Sequence, residues 1–243
     1  MNMKKIVITR PDEQGKIFAE RVDFCDYRDF FFEPLLNIEK KHAPFSLSDK
    51  CDYDGFVVTS IHSVDAFVYS FPDNMYKPVY CVGKSVAAAI KERGDYDVRI
   101  VAPVVTDLVS GIVDLYGSSD THLLYFRGRD ISFDIKSRFK DCNITLDEII
   151  CYEALAVQRF SDEFISAIEN NEISAITFFS KRTARIFSEC VRSHNIQSDL
   201  AGIKALCISG GVLEYLNPIF GQDVVVSDTP DADGMLRIVR SFF

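Results

Sequence analysis

Residues 55–67 read Gly-Phe-Val-Val-Thr-Ser-Ile-His-Ser-Val-Asp-Ala-Phe. Gly55 to Thr59 is a short apolar run, and a helical pattern begins at about Ser63. A strand apolar on both faces that passes through hydroxyl residues into a helix is the unit of a parallel α/β sheet. Working outward, the rhythm continues in both directions. Upstream, Lys5-Ile6-Val7-Ile8-Thr9 reads as a buried strand, Asp12 to Val22 as a helix and Tyr27 to Phe32 as a second strand. Downstream, Val79 to Val82 precedes a helix from about Ser85, and Val98 to Val101 precedes one from Thr106 to Tyr116. His122 to Phe126 and Ile144 to Ile149 bracket another helix. The strands Ala175 to Phe179, Ala205 to Ile208 and Val224 to Val226 each lead into one more. The expectation is an α/β protein with parallel sheets covered on both faces.

The rhythm is also an internal repeat. Val58-Thr59-Ser60 matches Phe178-Phe179-Ser180, with the two serines 120 residues apart. Cys81-Val82-Gly83 lies against Cys207-Ile208-Ser209 at an offset of 126, and Thr9-Arg10-Pro11 against Phe126-Arg127-Gly128 at 117. Phe32-Glu33-Pro34-Leu35 lies against Tyr152-Glu153-Ala154-Leu155, again at 120. Four matches in one order at nearly constant offset indicate duplication of a unit about half the chain long. Residues 33–41 and 151–159 hold equivalent places in the two copies and alternate apolar and polar. Paired as antiparallel strands, they would make a two-stranded hinge.

Composition bounds the function. A chain of 243 residues suffices for one large domain or two small ones. No stretch approaches the ~18 apolar residues of a membrane helix. The opening Met1-Asn2-Met3-Lys4-Lys5 leads only into Ile6 to Ile8, shorter than the core of a secretory signal. Cytoplasmic residence is expected. Seven cysteines form no CxxC pair, which suits a reducing compartment with cysteine as an apolar filler, above all at Cys81 and Cys207. The four histidines lack metal-ligand spacing, so no metal site is expected. A net charge of −9 without a basic cluster argues against nucleic-acid binding. Any anion site must be local, made from a few arginines, backbone N–H groups and helix N-termini.

The ordered set Ile-Val-Ile-Thr-Arg-Pro at 6–11, Phe-Glu-Pro-Leu-Leu-Asn-Ile-Glu at 32–39 and the strand–Thr-Ser–helix of 56–67 resembles the uroporphyrinogen-III synthase family. So do Tyr80-Cys81-Val82-Gly83, Tyr125-Phe126-Arg127-Gly128 and Cys151-Tyr152-Glu153. The resemblance implies two flavodoxin-like domains joined by a two-stranded antiparallel hinge, with a cleft between them. Residues 1–33 plus 160–243 would form the first, discontinuous domain, and 42–149 the second, inserted one. Residues 34–41 and 150–159 would be the hinge strands. The implied reaction closes linear hydroxymethylbilane to uroporphyrinogen III, with loss of water and inversion of the last ring. It proceeds through an azafulvene cation and a spiro intermediate, without metal or organic cofactor. A monomer is expected, with transient hand-over of substrate from hydroxymethylbilane synthase and with no nucleic-acid or membrane partner.

Candidate residues follow. Tyr152 matches the family tyrosine that assists departure of the hydroxyl; a phenol, with a pKa near ~10 in water, can donate a hydrogen bond without ionising. Otherwise Tyr152 is an aromatic packed under the hinge. Thr59, Ser60 and Ser180 follow strands and open helices, where they can cap a helix, bind propionate or acetate carboxylates, or do both. Arg10 and Arg127 end equivalent strands and match carboxylates bidentately, or else form surface ion pairs. Arg129, Arg182 and Lys84 are weaker candidates. Family members often carry Thr where Val86 and Val212 stand here, so Ser85 and backbone N–H groups at Gly210-Gly211 are expected to bind in their place. Two rivals share the architecture. A non-catalytic two-lobed binding protein or sensor would commonly be exported. A nucleotide enzyme would need a glycine-rich loop after the first strand, where this chain has Arg10-Pro11-Asp12-Glu13.

Overall fold

The structure, a computed structural model, describes residues 4–22, 26, 29–41, 52–72, 76–117 and 119–243. Its chain separates into two compact units, Met1–Asn37 with Leu155–Phe243, and Ile38–Ala154.

In the first unit, strands β1 (Lys5–Ile8), β2 (Phe30–Phe32), β9 (Ile173–Phe178), β10 (Lys204–Cys207) and β11 (Val224–Val226) form a sheet in the order β11-β10-β9-β1-β2. Every pairing in it is parallel. Its helices are α1 (Asp12–Glu20), α6 (Asp162–Glu169), α7 (Lys181–His194), α8 (Leu213–Phe220) and α9 (Ala232–Arg240). Alternation along β1 explains the uniform apolar run. Val7 joins one core with Ile176, Phe178 and Phe187, while Ile6 and Ile8 join another with Phe18, Leu206 and Met235. Both faces are covered, so no position on the strand can be polar without cost.

The second unit repeats the plan. Its strands are β3 (Leu36–Lys40, at the unit boundary), β4 (Gly55–Val58), β5 (Val79–Val82), β6 (Val98–Ala102), β7 (Thr121–Gly128) and β8 (Ile144–Ala156). They lie in the order β3-β8-β7-β4-β5-β6. The helices are α2 (Val64–Ser70), α3 (Lys84–Lys91), α4 (Val105–Tyr116) and the short α5 (Ile135–Arg138). Phe56 and Val58 face Phe67, Phe71 and Phe126, while Val57 faces the opposite core with Tyr80, Leu123 and Tyr125. Burying an aromatic such as Phe67 contributes roughly 1.5–3 kcal/mol. Cys81 and Cys207 are fully buried in these cores, and burial pushes their thiols up, to about 11 and about 12. Cys25, Cys51 and His42 lie outside the described residues.

Sheet order exposes the duplication. The first unit has the flavodoxin order 2-1-3-4-5, with β9, β10 and β11 as the third to fifth strands. Taking β7 and β8 as the opening pair of the second unit gives the same order, with β4, β5 and β6 following. β3 is the addition. The amide of Lys41 donates to the Cys151 carbonyl at 2.7 Å and that of Val157 to Leu35 at 3.2 Å, so β3 and β8 run antiparallel.

Three elements differ from their sequence reading. β8 is one strand through Ala156, not a strand ending at Ile149 with a separate stretch beyond; nothing in 144–156 is Gly or Pro, so nothing breaks it. The helix between β7 and β8 has a single turn, capped by Asp134, which accepts from the Ser137 amide at 3.1 Å. β2 covers only Phe30–Phe32, and Tyr27 and Arg28 of the expected strand lie outside the described residues. In the first unit, buried Glu33 accepts from the Ser161 amide (2.9 Å) and hydroxyl (2.6 Å), tying together the two passes of chain that lead to the linking strands. Burial holds its carboxyl above the usual range.

Candidate functional site

In open α/β sheets ligands bind beyond the carboxyl ends of the strands, where strand order reverses direction. That point lies between β1 and β9 in the first unit and between β4 and β7 in the second.

At the first switch point stand Arg10, just after β1, and Ser180, just after β9. The Arg10 guanidinium lies 4.7 Å over the Phe179 ring, and its Nε and Nη2 donate to Gln14 Oε1 at 3.3 and 2.9 Å. Burial, then the nearby charge of Arg21, lowers its pKa, and among the described residues no carboxylate pairs with it. Arg10 is thus a half-buried cation with a neutral partner and an aromatic face, a combination suited to an incoming anion. Ser180 caps α7, accepting from the Thr183 amide at 3.1 Å, while the Thr183 hydroxyl donates to the Ser180 carbonyl at 2.9 Å. Arg182 lies in the first turn of the same helix.

At the second switch point, Thr59 and Ser60 follow β4 and Arg127 lies near the end of β7. Ser60 caps the turn Ile61–Ser63, accepting from the His62 amide at 3.3 Å. Thr59 does not cap; its hydroxyl lies 2.8 Å from the Tyr125 phenol oxygen. Arg127 turns back onto its own unit. Its Nη1 donates to the carbonyls of Gly128 (2.9 Å) and Arg129 (3.0 Å). Nε approaches Glu148 Oε1 at 2.9 Å, an ion pair too bent to be a hydrogen bond. Arg127 is therefore a committed charge rather than an open fork. Arg129 and Lys41 share Glu153, at 2.8 and 2.7 Å, and hold its carboxyl below the usual range.

Tyr152 lies in β8 opposite Gly128, where the register shifts, and its carbonyl accepts from the Arg129 amide at 2.9 Å. Its ring lies directly over Gly128: a Cβ there would fall 2.6 Å from Tyr152 Cζ. On another side the His62 ring centre is 5.3 Å away. Ser85 is exposed in the first turn of α3, behind Gly83, whose φ of +86° favours glycine. Lys84 opens that helix and is also exposed. Val86 and Val212 are buried in the cores. Gly210 and Gly211 form a short turn before α8, and Lys181 lies so close over Gly211 that a Cβ there would meet its Cε at 2.7 Å. Among the described residues, no group of three or more His, Cys, Asp or Glu is placed to hold a metal.

The second unit thus sets Thr59, Ser60 and Arg127 near the ends of adjacent strands with Tyr152 opposite Gly128, and the first unit places Arg10 over Phe179, the residue before Ser180. Tyr125, Glu148, Gln14 and Phe179 complete these arrangements and were not among the sequence candidates. For Tyr125 a signal existed. It stands two residues before Arg127, on the same strand face, but its meeting with Thr59 depends on a register that local pattern does not contain.

Comparison with known proteins addresses the whole chain. The family model described as uroporphyrinogen-III synthase HemD matches residues 28–237. The fold is similar to that of uroporphyrinogen-III synthetase from Helicobacter pylori 26695, with TM-score 0.62 and 13% identity over 99% of this chain and 100% of the other. It is also similar to a mutant uroporphyrinogen III synthase from the extremely thermophilic bacterium Thermus thermophilus, with TM-score 0.53 and 15% identity over 98% of each chain. No curated protein matches by sequence. With the family model spanning most of the sequence, this chain belongs to the uroporphyrinogen-III synthase family.

Proposed function

We propose that this chain performs its family's reaction, closing hydroxymethylbilane to uroporphyrinogen III with loss of water and inversion of ring D, through groups at the carboxyl ends of its strands. The enzyme is a lyase acting on a small molecule. The observation that carries the residue assignment is the seat of the Tyr152 ring over Gly128, at the end of the strand next to the one that Thr59 and Ser60 follow.

In the proposed mechanism, Tyr152 donates a hydrogen bond to the terminal hydroxyl of the bilane. The C–O bond breaks, its electron pair leaves with oxygen, and the oxygen gains a proton to depart as water. The pyrrole nitrogen supplies electrons to the carbon left behind, giving the azafulvene cation. The substituted α-carbon of ring D then attacks that cation to form the spiro intermediate. The bond from that carbon to the bridge toward ring C breaks, and the free α-carbon of ring D bonds to the bridge carbon. The hydrogen of that free α-carbon leaves as the proton that balances the one lost with water. Assistance of this kind by a positioned acid is worth about 10²–10⁴-fold, and orientation of the folded chain can supply the larger share.

Arg10 suits a carboxylate of the substrate because its positive charge has no acidic partner among the described residues. Thr59, Ser60 and Ser180 offer hydroxyls and helix-opening amides to others, and Ser85 is a lesser contact. Arg127, held by Glu148, contributes field rather than a free fork. We further propose a cytoplasmic monomer that takes its substrate by transient hand-over from hydroxymethylbilane synthase and has no nucleic-acid or membrane partner. The net charge of −9 supports the exclusion of nucleic acid, and among the described residues no helix is long and apolar enough to cross a membrane.

The test supplies freshly made hydroxymethylbilane and resolves the oxidised products by isomer. Spontaneous closure yields type I; the protein is expected to divert product to type III. Tyr152→Phe is expected to lower type III turnover at least tenfold with an unchanged melt. Type I alone from the parent protein overturns the function, and full turnover by Tyr152→Phe removes Tyr152 from the mechanism.

A further inference from the structure

Tyr125 has no role in the chemistry above, yet its placement sets the state of a residue that does. It lies in β7 with its ring in the core beside Val57, Tyr80 and Leu123, and it is 4% exposed. Val57 and Tyr125 are register partners, so Thr59 is the diagonal neighbour of Tyr125 on the same sheet face. The two hydroxyl oxygens are 2.8 Å apart, and among the described residues Thr59 is the one hydrogen-bond partner of the Tyr125 hydroxyl.

A buried phenol has a single proton to place. Burial also pushes the Tyr125 phenol above the usual range, so it stays neutral. Were Thr59 the donor, the Tyr125 proton would have no acceptor, which is the costlier arrangement. Tyr125 therefore donates and Thr59 accepts. The Thr59 proton is left to point away from Tyr125, from a half-buried residue at the open end of β4.

We propose that Tyr125 is a positioning residue that fixes Thr59 as a hydrogen-bond donor toward a carboxylate of the substrate. This rests on the reading of Thr59 as a substrate contact. An unoriented threonine hydroxyl can rotate to accept as readily as to donate, and a carboxylate needs a donor. The phenol removes that choice before substrate arrives.

The experiment compares Tyr125→Phe, Thr59→Val, Thr59→Ser and the double variant Tyr125→Phe/Thr59→Val for KM and kcat of type III formation, with thermal melts establishing folding. Tyr125→Leu is a second removal of the hydroxyl should Tyr125→Phe not fold. Loss of one hydrogen bond corresponds to a KM increase of about three- to tenfold. That increase is expected for Tyr125→Phe and for Thr59→Val, with kcat within about twofold. The double variant is expected to match Thr59→Val, and Thr59→Ser to keep the parent KM. If Thr59→Val raises KM and Tyr125→Phe does not, the inference fails and the reading of Thr59 stands. If neither raises KM, the reading of Thr59 fails and takes the inference with it. Additive effects in the double variant also overturn the inference, because Tyr125 would then act by another route.

Discussion

At residue 128 the backbone passes beneath an aromatic ring, and only glycine leaves room. An added Cβ would fall 2.6 Å from Tyr152 Cζ and 2.9 Å from its oxygen, well inside van der Waals contact. Alanine at this position must therefore push the Tyr152 ring away or spread β7 from β8. Overpacking of this kind costs about 1–3 kcal/mol. We expect Gly128→Ala to lower the melt by that amount and to reduce type III turnover as severely as Tyr152→Phe. Assay of both variants side by side checks this, and parent-level turnover in Gly128→Ala would show that the ring's seat over the backbone is not needed. The Gly128–Tyr152 approach was not legible in the sequence, where the two residues appear only in separate fragments of a family pattern.

The helices that open at the switch points pose the question of what their serines do. Ser180 is a helix cap by its geometry, and capping by itself is worth about 0.5–2 kcal/mol against alanine. The structure separates this role from substrate contact through one substitution. Aspartate caps as well as serine but brings a negative charge to the place proposed for a carboxylate. Ser180→Ala should lose stability, whereas Ser180→Asp should keep it and raise KM several-fold, as read by melts and steady-state kinetics. Unchanged KM in Ser180→Asp would leave Ser180 with the cap alone. At this scale the sequence was informative. Hydroxyl residues between an apolar run and a helical pattern announce a cap, and Ser60 and Ser180 are caps. Thr59 looks the same by pattern and instead bonds to Tyr125, because the neighbouring strand brings a phenol within reach.

For the molecule as a whole, the consequence of the topology is that one unit is continuous in sequence and the other is not. Residues 38–154 contain the cores on both faces of the β4–β8 sheet, from Tyr53 to Cys151. A chain cut to 38–154 is expected to fold alone and unfold in one cooperative step, with a stability on the order of 5 kcal/mol. Urea melts followed by circular dichroism test this, and a non-cooperative transition would mean that the unit depends on the rest of the chain. Residues 1–37 should show no such transition. Among the described residues they hold β1, α1, β2 and the start of β3, and β1 is flanked by β2 and by the distant β9.

The amino-acid sequence by itself determined the class of this protein and its duplication. Strands buried on both faces are mostly apolar, so β1, β4, β9 and β10 declare themselves in composition, and the repeat is visible as nearly constant spacing. It also carried the family, through an ordered set of short motifs rather than any one of them. Only the tertiary structure decided which polar groups meet. Thr59 and Tyr125 are 66 residues apart and join through the register of β4 and β7. Arg127 is claimed by Glu148 from the facing strand, while Arg10, its partner in the repeat, has Gln14 and Phe179. Local periodicity records which face a side chain takes and leaves open what stands across from it. That depends on strand register and on the direction of each side chain, which are set when the whole sheet packs.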